Sequence, residues 1–420
     1  MKEVPMLTDL FDEVHAQYRS LPLLGSVLDD FDEWLAKQGY TFSTRQNYII
    51  YCARIERYLW KRKVHLISDL SAETIAKCRR YFKRQPGRTD HAVVCLQHFL
   101  EERQLLSSKA NLLPLSKIDR LLIEYRKYLI DVRGLSSSTI QQHYRSAAEF
   151  LRMTRKSDSK LQLEDLDQKS IEKFICMVSP RLGRGSLQHV VAHVRSLLRY
   201  LAMIGEAPAG LDAQIDTPRA YRQEQLPKSL PWDVVRAFVE SIDRTEVQGM
   251  RDYAMFLLIA TYGLRASDVA GLKLDDIDWR KGEIRFNQRK TKHPLVLPLF
   301  DQVGKALLAY LRKGRPPSNY REIFLTLRAP ISPVTIHTIG PAFRARVRRG
   351  NLPIPFEGVH CLRHSYAMHL LRKGASLKAI GDVLGHHSTE STCVYLRLDF
   401  EELRDVALPL PVSSKKEASK

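Results

Sequence analysis

HCLRHSYAMHLLRKGAS, residues 360–376, and LGHHSTESTCVYLRL, residues 384–398, hold two basic side chains on one helical face, then a histidine, then a tyrosine. His360 precedes Arg363 by three residues, His386 follows Arg363 by 23, and Tyr395 follows His386 by nine. Upstream, TYGLRASD places Arg265 behind Gly263, which can end one helix, and ahead of Ser267, which can cap the next. Between these motifs, EIRFNQRKTKHPLVLPL reads as a hairpin whose β-prone arms bracket a basic turn carrying Lys290 and Lys292. Each basic side chain taken alone suits a solvated surface, and Tyr395 taken alone suits a packed one.

Together they match the needs of phosphoryl transfer: cations around the non-bridging oxygens, a proton donor for the leaving oxygen, and a placed nucleophile. A guanidinium stays charged and grips two oxygens at once, so two arginines suit the first need. Tyrosine suits the third when the product is a covalent phosphodiester, although a phenol with a free pKa near 10 needs cations or a base beside it. In this order and spacing the motifs resemble the catalytic domain of the tyrosine site-specific recombinases, or phage-type integrases. The resemblance implies an enzyme that cleaves and rejoins DNA strands through a 3′-phosphotyrosyl intermediate, with no metal and no cofactor. It implies that Arg265 and Arg363 clamp the scissile phosphate, His386 donates a hydrogen bond to it, and His360 assists proton transfer at Tyr395. Lys290 would protonate the departing 5′ oxygen. Counting back eight residues from Pro298 selects Lys290, with Lys292 as the alternative, and the Leu-Gly-His wording selects His386 over His387.

Composition agrees with a polyanionic partner. The 420-residue chain carries 66 Lys and Arg against 47 Asp and Glu, a formal charge of +19 spread along its length. Six cysteines lack ligand spacing, so no structural zinc is expected. The N-terminus is too acidic for a signal peptide, and the longest apolar run, AMFLLIATYGL from 254, is far shorter than a membrane span. The expected location is cytoplasmic, at the nucleoid of a prokaryote, with no membrane partner.

The front half contains a repeat. Leu24, Val27, Leu28, Phe31 and Leu35 line one helix face, and Ile118, Leu121, Leu122, Tyr125 and Leu129 repeat that spacing 94 residues later. Ser43-Thr44 and Ser138-Thr139 read as N-caps at an offset of 95, and DLSAETI answers DLDQKSI at 96. Val93, Leu96, Phe99 and Leu100 answer Val194, Leu197, Tyr200 and Leu201 at 101. The expected fold is mainly α, with a small β-hairpin sheet in the catalytic domain. Two helical SAM-like modules, residues 1–110 and 111–210, precede a linker at 211–225, the catalytic domain at 226–410 and a disordered tail at 411–420. The second module resembles the family's core-binding domain, and the first a further copy of it. Expected DNA contacts are Thr44 and Arg45 in the first module, Thr139, Gln141, Arg145 and Arg184 in the second, and Lys228 and Lys292 beyond.

Three other readings compete. A type IB topoisomerase uses similar phosphotyrosyl chemistry, but the HxxR histidine and the LGHH segment favour a recombinase. A non-catalytic DNA-binding protein would not need every chemical position filled. A metal-dependent nuclease could use His360 and His364 at i and i+4, yet no acidic or cysteine partner sits at matching spacing. The expected partners are double-stranded DNA at specific recombination sites, three further copies in a homotetramer, and sister recombinases or accessory proteins of a mobile element. LDFEELRDVALPL, from 398, has helical apolar spacing and is expected to dock on a neighbouring protomer, with Ser388 or Thr389 capping the helix that presents Tyr395.

Overall fold

The structure, a computed structural model, describes residues 7–11, 14–85, 87–106, 116–154, 163–218, 227–290, 293–386, 388 and 390–396. Both stripes of the repeat are buried, and each builds a core of its own. The first core is enclosed by α1 (Leu7–Leu10), α2 (His15–Arg19), α3 (Leu28–Lys37), α4 (Phe42–Trp60), α5 (Ala72–Phe82) and α6 (Thr89–Glu102). The second is enclosed by α7 (Lys117–Asp131), α8 (Ser137–Met153), α9 (Gln168–Val178) and α10 (Arg184–Met203). Helices α3 to α6 and α7 to α10 follow one another in the order the repeat predicts. By contacts, residues 1–106 group with 225–420, and 107–224 form a separate unit. Within the former, the turn between α3 and α4 meets the catalytic region, where the Ile331 amide donates to the Gln38 carbonyl at 3.1 Å.

Local signals needed small corrections. Helix α4 opens at Thr41, not Ser43-Thr44, and α8 opens at Ser136, not Ser138-Thr139. A capping oxygen serves the amide three residues on, and Ser136 accepts from Thr139 N, so Ser138 and Thr139 already lie inside the helix. Residues 211–218, expected in the linker, pack on the second module. Leu211 and Ile215 enter its core, Gln188 Nε2 donates to the Pro218 carbonyl at 2.7 Å, and Arg195 binds the carbonyls of Asp212 and Ile215. The rest of that linker, the segment from 398 and the tail at 411–420 fall outside the described residues.

The catalytic region is built on α12 (Val247–Tyr262), which follows α11 (Trp232–Glu240) and is buried on all sides rather than along one stripe. Its Asp252 is fully buried between Arg251 and Arg346, which anchors α15 (Ile336–Arg349) against it. After α12 come α13 (Ala266–Gly271) and the antiparallel strands β1 (Ile277–Asp278), β2 (Glu283–Asn287) and β3 (Pro294–Pro298), with α14 (Asp301–Ala309) beyond. Phe286 pairs with Leu295 and Asn287 with Pro294, confirming the hairpin and leaving Lys290 in its connection. Helices α16 (His360–Arg372), α17 (Leu377–Leu384) and α18 (Glu390–Cys393) complete the described chain.

Arg45 is not free to meet DNA. Its Nε donates to Asp32 Oδ1 at 2.7 Å, Nη2 binds the other carboxylate oxygen, and Asp32 is wholly buried. Burial raises the Asp32 pKa, and Arg45 opposes that rise. Arg45→Ala should therefore destabilise the first module by about 3 kcal/mol, because it strands a buried carboxylate. Denaturant unfolding followed by tryptophan fluorescence would measure this, and the same variant should keep its DNA affinity.

Candidate active site

Arg363 is 2% exposed and sits at the centre of the site. Its Nη1 donates to the Gly263 carbonyl at 2.6 Å, and its Nη2 to the Leu384 carbonyl at 2.9 Å and to His386 Nε2 at 3.0 Å. One side chain on α16 thereby ties down the ends of α12 and α17. Both helices end in a left-handed glycine, Gly263 at φ 64° and Gly385 at φ 65°. A Cβ on Gly263 would lie 2.6 Å from Leu384 and Tyr366, so close packing as well as backbone conformation requires glycine there.

Arginine has no acceptor, so His386 Nε2 accepts the hydrogen bond from Arg363 and Nδ1 donates to Thr392 Oγ1 at 2.8 Å. Arg265, just ahead of α13, donates through Nη1 to Gln288 Oε1 at 2.8 Å and lies 3.9 Å from buried Asp268. Gln288 is fully buried, and its Nε2 donates to the Leu384 carbonyl, the oxygen that Arg363 also holds. A Cβ on Gly385 would stand 2.3 Å from that amide. The two arginines are thus joined through Gln288 and one carbonyl oxygen.

Tyr395 lies in a turn after α18 rather than on the helix. Its ring is 2% exposed and packs with Ala367, Met368, Ile380 and Leu384. Its hydroxyl meets Nδ1 of His364 at 3.1 Å. His364 is therefore the histidine hydrogen-bonded to the tyrosine, and His360 packs edge-on against it with ring centroids 4.5 Å apart.

Desolvation, followed by neighbouring charge, sets the protonation states. His364 is lowered to about 4 by burial and then by His360, Arg363 and His386. His386 is lowered to about 4 by burial, Arg363, Arg265 and His360. His360 keeps an exposed edge, yet desolvation and the charges of Arg363, Arg265 and Lys290 also lower it to about 4. Arg363 falls to about 10, through burial first and Arg265 second. Burial raises Tyr395, and Arg363 and Arg265 pull against that rise. At neutral pH the site thus holds neutral imidazoles beside two guanidinium groups.

Of the expected catalytic residues, Arg265, Arg363, His386 and His360 converge, Tyr395 adjoins them, and Lys290 is near enough for its charge to act on His360. Lys292, His387 and Thr389 lie outside the described residues. The expected DNA contacts stand as follows. Thr44 bonds Thr41 through their hydroxyls. Gln141 and Arg145 are exposed one turn apart on α8, beside a cleft of about 600 Å³ that Gln141 lines with Arg126 and Tyr144. Thr139 supports the start of the same helix. Arg184 is exposed at the start of α10, and exposed Lys228 lies 6.0 Å from the Phe356 ring. No cluster of metal-ligating side chains occurs among the described residues, and no helix among them is long and apolar enough to cross a membrane.

Comparisons with known proteins agree with this geometry. The family model described as the phage integrase family matches residues 228–402, and the phage integrase N-terminal SAM-like domain matches residues 122–204. The chain is 32% identical over 386 residues to a protein named integrase/recombinase y4rA from Sinorhizobium fredii, covering 91% of this chain and 93% of that one. It is 29% identical to the tyrosine recombinase XerD of Listeria innocua, covering 68% and 96%. Among solved structures, a lambda integrase dimer bound to a core site aligns with a TM-score of 0.51 at 20% identity, covering 66% of this chain and 94% of that chain. The Tn1549 transposon integrase bound to transposon right-end DNA aligns with a TM-score of 0.53 at 15% identity, covering 68% and 99%. At those identities the structures speak for the fold.

Two measurements follow from the geometry. Gln288→Leu should slow strand cleavage by about 10²-fold in single-turnover assays while DNA affinity holds, because Arg265 loses its anchor. The three histidines bind protons more readily in the unfolded chain, near pH 6.5, than in the folded one, near pH 4. Stability of the catalytic region should therefore fall as pH drops from about 6.5 to about 4, visible as a lowered Tm, and level off below that window.

Proposed function

The chain belongs to the phage integrase family of tyrosine recombinases, and from that premise we propose how its own residues cleave and rejoin DNA. Arg265 and Arg363 hold the non-bridging oxygens of the scissile phosphate. Tyr395 Oη attacks the phosphorus, forming the P–Oη bond as the P–O5′ bond breaks. The phenol proton passes to neutral His364, which already contacts it, and Lys290 gives a proton to the departing 5′ oxygen. His386 donates to the phosphate once a proton resides on Nε2, with Thr392 then donating to Nδ1. Attack by a second strand's 5′ hydroxyl reverses each transfer and restores a phosphodiester, so bond energy is conserved and no cofactor is consumed. Tyr395 is buried, so the phosphate is reached only after the ring turns outward.

The observation that carries this reading is the meeting of two arginines, three histidines and Tyr395 around Arg363. The substrate is double-stranded DNA at specific recombination sites, with Gln141, Arg145, Arg184 and Lys228 as contacts. The biological setting is integration, excision or transposition of a mobile element, the setting named for the Tn1549 neighbour.

The working assembly is a homotetramer coupled through the segment from 398. That segment carries Asp399, Glu401, Glu402 and Asp405 among apolar residues. Two cavities of about 410 and 400 Å³ share Gln302 and make up a groove, the first lined by Arg236 and Glu240 among apolar residues, the second by Arg244, Lys305 and Lys313. Charge complementarity makes this groove the receptor for a neighbour's segment.

A nicked suicide substrate should trap a covalent adduct with the wild-type chain and none with Tyr395→Phe. An adduct in that variant would sink the assignment. Lys290→Ala should slow cleavage about 10²-fold or more, and a 5′-bridging sulfur should restore it, since a thiolate leaves without a proton. If Lys292→Ala shows that pattern instead, Lys292 is the acid. Lys305→Glu with Lys313→Glu should leave single-site cleavage intact and abolish synapsis.

A further inference from the structure

In the second module, Gln141 and Arg145 leave the first half of α8 exposed. In the matching half of α4, Gln46 and Ile50 stand where the second module has Gln141 and Arg145. Gln46 Nε2 donates to the Leu10 carbonyl at 2.7 Å, and Arg45 is held by Asp32. The first module thus lacks the cation that Arg145 places on the second.

Its cations collect elsewhere. Residues 54–88 hold eleven Lys and Arg against three Asp and Glu, a net +8. Of the three acids, Glu56 is buried, with both oxygens taken by the amides of Leu23 and Leu24. Tyr58 of α4 and Tyr81 of α5 pack at 4.7 Å, which brings the C-terminal ends of the two helices together. The Arg62 guanidinium lies 3.7 Å from the Tyr58 ring centroid and 5.8 Å from that of Tyr81. Arg57, Lys61, Arg80, Lys83 and Arg84 are exposed around them, beside exposed Trp60. Among the described residues, the ion pairs of this module are Arg19–Asp29, Lys37–Glu33, Arg45–Asp32 and Lys77–Glu73, none of which neutralises these six cations.

A helix dipole favours a cation at each C-terminus and explains part of this clustering. It does not explain why two helix ends pool their charges on one surface. Like charges within a Debye length of one another repel, and an anion along that surface relieves the repulsion. Arg152 and Lys156 answer Arg57 and Lys61 at an offset of 95, but the α5 part of the patch is not inherited with the fold: 96 residues after Arg79, Arg80 and Lys83 the second module has Ile175, Cys176 and Ser179.

We propose that the joined ends of α4 and α5 form a second duplex-DNA contact, which grips phosphates beyond the stretch held by the catalytic region and the second module. The inference rests on the recombinase reading above, which supplies a polyanion long enough to reach both places. Arginine and lysine beside exposed tyrosine and tryptophan suit phosphate and sugar, so the contact adds affinity without reading bases.

The test uses the full chain. Lys61→Gln, Lys83→Gln and Arg84→Gln are combined, with Lys37→Gln plus Arg103→Gln as a control elsewhere on the module. Binding to a mixed-sequence duplex is followed against salt concentration. The patch variant should lose a slope of about 0.9 in log K against log salt for each phosphate contact, so about 2 to 3 in total, while the control keeps the wild-type slope. An unchanged slope in a patch variant with unchanged thermal unfolding overturns the proposal, as does an unchanged slope with loss of self-association, which would make the patch a protein contact. Should the triple variant unfold early, Arg57→Gln plus Arg80→Gln asks the same question. The suicide-substrate adduct, read on the same preparations, separates the two levels: no wild-type adduct sinks the recombinase reading, and an adduct with an unchanged slope sinks the patch alone.

Discussion

The buried guanidinium of Arg363 is the constraint on which the catalytic region depends. It has given up water for two carbonyl oxygens and one imidazole nitrogen, supplied by Gly263 on one side and by Leu384 and His386 on the other. An unpaired charge at 2% exposure would be severely unstable, so the ends of α12 and α17 must lie where they do. Gly263 and Gly385 permit this by ending both helices sharply. What stabilises the fold here also prepares the site, because a fixed guanidinium needs no reorganisation when a phosphate arrives.

The same carbonyl, that of Leu384, also accepts from Gln288, which holds Arg265. The hairpin that carries Lys290 is thus fastened to both arginines, and Asp268 adds a second tie by accepting from the Arg289 amide at 2.9 Å. A hairpin attached only through its strands would leave its tip free to wander. Lys290 remains exposed, as the proposed proton donor to a leaving oxygen on bound DNA must be.

The two helical modules of the front half are not equivalent. Their apolar stripes recur in position because each must bury a core, whereas their surfaces differ. In the first module Asp32 holds Arg45, Gln46 is tied to α1, and Ile50 stands where the second module has Arg145. Its cations gather instead where Tyr58 and Tyr81 join two helices.

Much of this was legible in the amino-acid order. Periodicity disclosed the repeat, its buried faces and the hairpin, because these are set by neighbours three, four or two residues apart. The order and spacing of Arg265, Arg363, His386 and Tyr395 carried the resemblance to the tyrosine recombinases, and the resemblance implied the chemistry. Cap positions were read two residues late, since several adjacent hydroxyls competed and only the backbone turn selects one. Only tertiary structure decided which histidine meets Tyr395, that Gln288 bridges the arginines, and that Arg45 serves packing. Those contacts join residues 31, 96 and 13 positions apart. His364 adjoins the HxxR motif and was open to suspicion, but Gln288 gave no local sign. Propensity and patterning act along the chain, while a hydrogen bond depends on where packing delivers its two ends.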